Sequence, residues 1–116
     1  TTATINASTT AYSATGEVTG TGYSAGGVAV TNATAPTYSN TSSTAGTAYW
    51  TPSASLSFTS VTLTTAFDTV LIYNSTQGNR AVSVHTFGSQ TVTAGTFTLT
   101  MPSNSTSTTL LRLATT

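Results

Sequence analysis

The sequence predicts an all-β fold, an antiparallel two-sheet β-sandwich of jelly-roll or immunoglobulin-like type with little or no helix. Three observations lead there. Threonine and serine make up roughly four residues in ten, and the branched β-carbon of threonine suits a pleated strand while losing rotamer freedom in a helix. Several short segments alternate apolar and hydroxyl side chains with period two, whereas no window places apolar residues at i, i+3, i+4 and i+7 among helix formers. Turn-forming clusters recur about every eight to twelve residues, so about seven or eight short strands are expected.

In chain order, Gly20-Thr21-Gly22-Tyr23-Ser24-Ala25-Gly26-Gly27 carries too much glycine for regular structure and reads as a loop. Val28 to Thr31 is a strand candidate, followed by a long Ser/Thr/Asn loop from Asn32 to Gly46 broken by Pro36. Ala48 to Thr51 is the next candidate. Leu56-Ser57-Phe58-Thr59 alternates, then changes phase at Ser60-Val61-Thr62-Leu63, as the extra residue of a β-bulge would require. One bent strand, or two, spans this region. Val70 to Asn74 is apolar on both faces and reads as a central strand covered on each side. The cluster from Asn74 to Asn79 is turn chemistry and Ala81 to Phe87 alternates again, so 69 to 87 reads as an antiparallel hairpin. Thr96 to Met101 alternates strictly until Pro102, and Leu110 to Ala114 is the last candidate.

A length of 116 residues fits a single domain spanning 1–116. With 37% hydrophobic residues and mean hydropathy +0.10, the chain is less apolar than usual, yet its ten aromatics and weak charge argue against disorder. Charged residues are 3% of the chain: Glu17, Asp68, Arg80 and Arg112, with no lysine and zero formal net charge. No basic field draws nucleic acid or anionic lipid, so neither is expected as a partner, and weak colloidal repulsion favours a homo-oligomer, trimer or dimer. Cysteine is absent, removing disulfides and thiolate chemistry. The longest apolar run, Val70 to Tyr73, is far short of a membrane span, and no signal-like segment opens the chain.

No catalytic, cofactor or metal residue is expected. A Ser/His/Asp triad could be assembled on paper from His85 and Asp68, but there is no Gly-x-Ser-x-Gly elbow. His85, opposite in phase to Val82 and Val84, reads as an outward or interface-facing strand histidine. The glycine cluster lacks the lysine and following helix of a phosphate loop, and instead suits positive φ and close backbone approach to a neighbouring chain. Each charge is expected to have a partner, Glu17 or Asp68 with Arg80 or Arg112. The interface candidates are Glu17, Tyr23, Gly26, Gly27, Trp50 and Arg80; arginine and tryptophan are favoured at interface centres, although a core position for Trp50 is the stronger alternative. Five asparagines stand in Asn-x-Ser/Thr sequons, which arise by chance in so hydroxyl-rich a chain.

The run from Thr9 to Gly27, TTAYSATGEVTGTGYSAGG, resembles a signature of small tailed-bacteriophage virion proteins. Phe67 to Val82 resembles the central hairpin of that group, and Gly95 to Pro102 its late strand. The resemblance implies a non-enzymatic structural protein of the particle, a capsid decoration or cement protein on the exterior of the head, with the major capsid protein as partner. A tail or tail-fibre component with possible glycan contact through Trp50 and the tyrosines is the alternative, and an ice-binding protein a remote one. The resemblance keeps Glu17, Asp68 and Arg80 at motif positions, as fold-fixing or intersubunit contacts. Relatives carry an additional apolar strand before the segment matching Ala3 to Asn6. Residues 1–8 are therefore expected to form an extended arm along a neighbouring chain.

Overall fold

The computed structural model describes residues 4–31, 35–40 and 45–115. Among these the chain is all-β, in five strands: β1 (Thr37–Asn40), β2 (Gly46–Trp50), β3 (Leu56–Asn74), β4 (Arg80–Leu99) and β5 (Leu111–Thr115). They make two antiparallel sheets, one ordered β1-β2-β5 and the other β3-β4. The residues gather into two compact units, the chain up to Gly27 with Phe58–Phe97, and Val28–Ser57 with the chain from Thr98 onward.

The first unit is built on the long β3-β4 hairpin. Its turn closes where the Asn74 side chain accepts the Thr76 N–H at 3.0 Å and the Thr76 hydroxyl at 2.8 Å. Gly78 (φ 66°) and Asn79 (φ 59°) supply left-handed residues there, for which glycine and asparagine are suited. The expected phase change in β3 is present: Leu56 is buried before it and Val61 and Leu63 after it, with Ser60 between them at φ 54°. The strand continues through this irregularity, so of the two alternatives the single bent strand is the one present, and it runs on to Asn74 over 19 residues.

The hairpin then folds over on itself. Phe97 lies 6.1 Å from Phe58 but also 5.0 Å from Phe67 and 5.4 Å from Phe87, measured between ring centroids. A straight strand would separate residues 87 and 97 by about 33 Å. Strand β4 must therefore bend between them, in the stretch that contains Gly88, Gly95 and Ala94 at φ 47°. The bend encloses Val61, Leu63 and Phe67, against which Val18, Tyr23, Phe58, Phe87, Val92 and Phe97 pack. Full burial of a side chain such as Val61 or Leu63 is worth about 1.5–3 kcal/mol.

Two stretches of the N-terminal segment pair with the hairpin edges. Ala11 bridges Arg80, with Tyr12 N–H donating to the Asn79 carbonyl at 2.8 Å and Ala81 N–H to the Thr10 carbonyl at 2.9 Å. Thr21 bridges Thr62, whose N–H donates to the Thr21 carbonyl at 2.9 Å. Gly20 and Gly22 flank that bridge because a β-carbon on either would collide with the carbonyl of Thr62 or Ser60. The glycines do serve close backbone approach, and the backbone approached is the chain's own β3.

In the second unit, β2 is central, with Tyr38 opposite Ala48, Ala48 opposite Leu113 and Trp50 opposite Leu111. Thr51, 3% exposed, follows β2; its hydroxyl lies 2.9 Å from that of Thr109 and accepts the Leu110 N–H at 3.0 Å, so its burial leaves no polar group unmatched.

Several expectations need correction. Five strands stand among the described residues where about seven or eight short ones were expected, because bulge-like irregularities let β3 and β4 run on. Val28 to Thr31 is not a strand; the Thr31 carbonyl instead accepts the Ser53 N–H at 3.0 Å. The expected 32–46 loop contains β1, whose hydroxyl-rich Thr37–Asn40 resembles a loop in composition but pairs residue for residue with β2; 32–34 and 41–44 lie outside the described residues. The strand expected to reach Met101 ends within β4 at Leu99. Of the expected arm, residues 1–3 lie outside the described residues, while Asn6 to Thr9 form a turn closed by Thr9 N–H on the Asn6 carbonyl at 3.0 Å. Local side-chain bonds from Asn6 favour that turn over extension.

Candidate functional site

Two features, one in each unit, hold five of the six sequence-predicted interface residues, all but Arg80. In the first unit, Glu17 is the centre of a hydrogen-bonded clasp. Its Oε2 accepts the Tyr12 hydroxyl at 2.8 Å, and its Oε1 accepts the Tyr23 hydroxyl at 2.6 Å and the Gly26 N–H at 2.8 Å. The Gly26 carbonyl accepts the Tyr73 hydroxyl at 2.9 Å, so this one peptide is gripped at both ends. Tyr12 stacks on Tyr73 with centroids 4.5 Å apart and planes 11° from parallel, while Tyr23 stacks on Phe58 at 5.7 Å. Gly26 takes φ 88° and Gly27 φ 79°, and a β-carbon on Gly26 would stand 3.1 Å from the Tyr73 hydroxyl. The clasp thus ties the glycine loop to both ends of the first unit's part of β3.

The electrostatics follow from the carboxylate. The Tyr12 phenol is held above its ordinary pKa chiefly by its bond to Glu17, with partial burial adding to the effect. For Tyr23, burial is the leading cause and the Glu17 bond the next, again raising the pKa. Both phenols stay protonated donors, and Glu17 has three hydrogen-bond donors in place.

The expected ion pairs are corrected here: no salt bridge joins the two acids to the two arginines. Glu17 is satisfied by phenols and an amide, and Asp68 Oδ1 accepts the neighbouring Thr69 hydroxyl at 2.8 Å. Arg80 is exposed and pairs through its backbone with Ala11; Arg112 is exposed on β5 opposite Tyr49. His85 is half-buried, its Nε2 3.0 Å from the Ser83 hydroxyl. Strand alternation places it on the face of Phe87, which packs on the core, so the outward orientation is corrected as well. Among the described residues no three of His, Cys, Asp and Glu converge as a metal site, and no helix is long and apolar enough to cross a membrane.

In the second unit, alternation and register place Tyr38, Ala48 and Leu113 in one row across the sheet, with Trp50 and Leu111 in the adjoining row on the same face. Tyr38 is 73% exposed and Leu113 72%, and Trp50 and Leu111 are half-buried beside them. An apolar sheet face left open to water is a surface suited to protein contact. A shallow groove of about 310 Å³ in the same unit, beside Thr51, Pro52, Met101 and Pro102, contains no ionisable group.

Glu17, Tyr23, Gly26 and Gly27 therefore come together, Arg80 sits apart from them at the start of β4, and Trp50 belongs to the apolar face. Sequence reasoning missed Tyr12 and Tyr73, the other two arms of the clasp; the available signal was that a lone half-buried carboxylate must find donors and that tyrosine is the commonest aromatic here. It also missed Tyr38 and Leu113, because β1 was hidden within an apparent loop. Compared with protein-family models, curated proteins and solved structures, the chain matches none of them.

Proposed function

We propose that this chain is a non-enzymatic structural protein of a tailed-bacteriophage particle, a decoration protein that docks on the outer surface of the head through the apolar face of β1-β2-β5. The observation that carries this reading is the open row Tyr38, Ala48 and Leu113 beside Trp50, uncharged and rich in aromatic surface, as interface centres are. The motif resemblance supplies the particle. The fold that accompanies this role is a two-layer β-sandwich, supported in the first unit by the hairpin that doubles back around Phe97.

The test is to locate the chain in a reconstruction of purified particles. On the order of hundreds of copies on the head shell support decoration, a few copies on the tail indicate the tail component, and absence from particles overturns the reading. Leu113→Asp and Tyr38→Asp, each expected to stay folded, should abolish rebinding to stripped heads. Attachment should be nearly indifferent to salt because no ion pair contributes to it.

A further inference from the structure

We propose that the outer edge of β4, from Ala81 to Phe87, is a self-complementary site at which a second copy of this chain pairs about a two-fold axis through Val84. The first observation is the open edge. The bonds from Ala81 N–H to Thr10 and from Tyr12 N–H to the Asn79 carbonyl fix which backbone groups face outward. Alternation then sends the N–H and C=O groups of Ser83, His85 and Phe87 to the same side. Among the described residues no other segment pairs with that side beyond Ala81, since the chain before Thr10 leaves the edge in the Asn6–Thr9 turn. The edge is bounded by residues 10–12 at one end and by the bend after Phe87 at the other.

The second observation selects the occupant. Val82-Ser83-Val84-His85-Thr86 is a palindrome in type, β-branched at 82, 84 and 86 and polar between. Antiparallel pairing centred on Val84 sets Val82 opposite the partner's Thr86, Val84 opposite the partner's Val84, and Thr86 opposite the partner's Val82. All three β-branched pairs fall on one face, and both partners present the same backbone pattern, as an isologous contact requires. Val82, 44% exposed, gains cover by this pairing. The usual deterrents to edge pairing are missing: no lysine, proline or formal charge lies between Arg80 and Leu99, and net charge is zero. Ser83 of each copy also faces the partner's His85, a second hydroxyl-imidazole match.

The pairing does not depend on the virion reading and is tested on the isolated protein. Sedimentation equilibrium should show a concentration-dependent dimer. Hydrogen exchange should show protection of the Ser83, His85 and Phe87 amides that rises with concentration, while the Val82 and Val84 amides, bonded to β3, stay unchanged. V82K/T86K, which sets lysine opposite lysine twice, should weaken the dimer by about tenfold, and V82K/T86E, which sets lysine opposite glutamate in the same register, should restore it. Circular dichroism checks that each variant is folded, and both positions point away from the core. A monomer at every concentration overturns the proposal, as does equal behaviour of the two double variants.

Discussion

At the scale of single residues, the distribution of charge governs what this chain can do. With four formal charges in 116 residues, a half-buried carboxylate has few cations to turn to, and Glu17 takes two phenols and a backbone amide instead. Tyr23→Phe removes the shorter phenol bond and should cost about 1–2 kcal/mol in urea unfolding. The raised pKa values of Tyr12 and Tyr23 mean that the folded state holds these protons more tightly than the unfolded chain, whose phenols titrate near 10.0. Their contribution is fully present below that pH and is lost as pH rises through the folded values. Thermal melts should therefore be flat up to about pH 9 and fall above about pH 10, less steeply in Tyr23→Phe. The sequence made Glu17, Tyr23, Gly26 and Gly27 visible through rarity and glycine clustering. Tyr12 and Tyr73 could not be singled out among the five tyrosines, since Tyr73 lies 47 residues from Gly26 in sequence and only the folded hairpin brings the two together.

At the scale of elements, local chemistry was readable wherever it acts between near neighbours. The Asn74 turn, the alternation of β4 after Arg80 and the phase change at Ser60 all follow from adjacent side chains. The backbone of Ser60 sits in the left-handed region, which disfavours a β-carbon. Ser60→Gly should consequently stabilise the protein by about 0.5–1 kcal/mol, measured by the urea midpoint at unchanged m-value. Gly20→Ala should do the reverse and release the Thr21–Thr62 bridge, seen as faster exchange of the Thr62 amide. What alternation could not announce was the bend in β4. Period-two patterning specifies faces and says nothing of where a ribbon turns back. Strand β1 was likewise unreadable, because its pairing with β2 is decided across the sheet and not by Thr37 to Asn40 themselves.

At the scale of the whole molecule, cohesion comes from ring packing, ladders and hydroxyl bonds. Without salt bridges between its acids and arginines, the protein should melt within about 2 °C of the same temperature between about 10 mM and 300 mM NaCl. All-β character was legible because threonine enforces it over nearly the full length. The division into two compact units was not, since β3 and β4 each run without a strand break past the points where it falls, after Ser57 and after Phe97.

Phe97 touches Phe58 at the open end of the hairpin and Phe67 and Phe87 further toward the turn. A zipper closing from Asn74 and Arg80 reaches this ring last, so the aromatic cluster is completed only after the ribbon has curled. Opening from the loose end has the opposite problem: it cannot release Phe97 from Phe58 alone, and the two arms of the hairpin should let go in one concerted step.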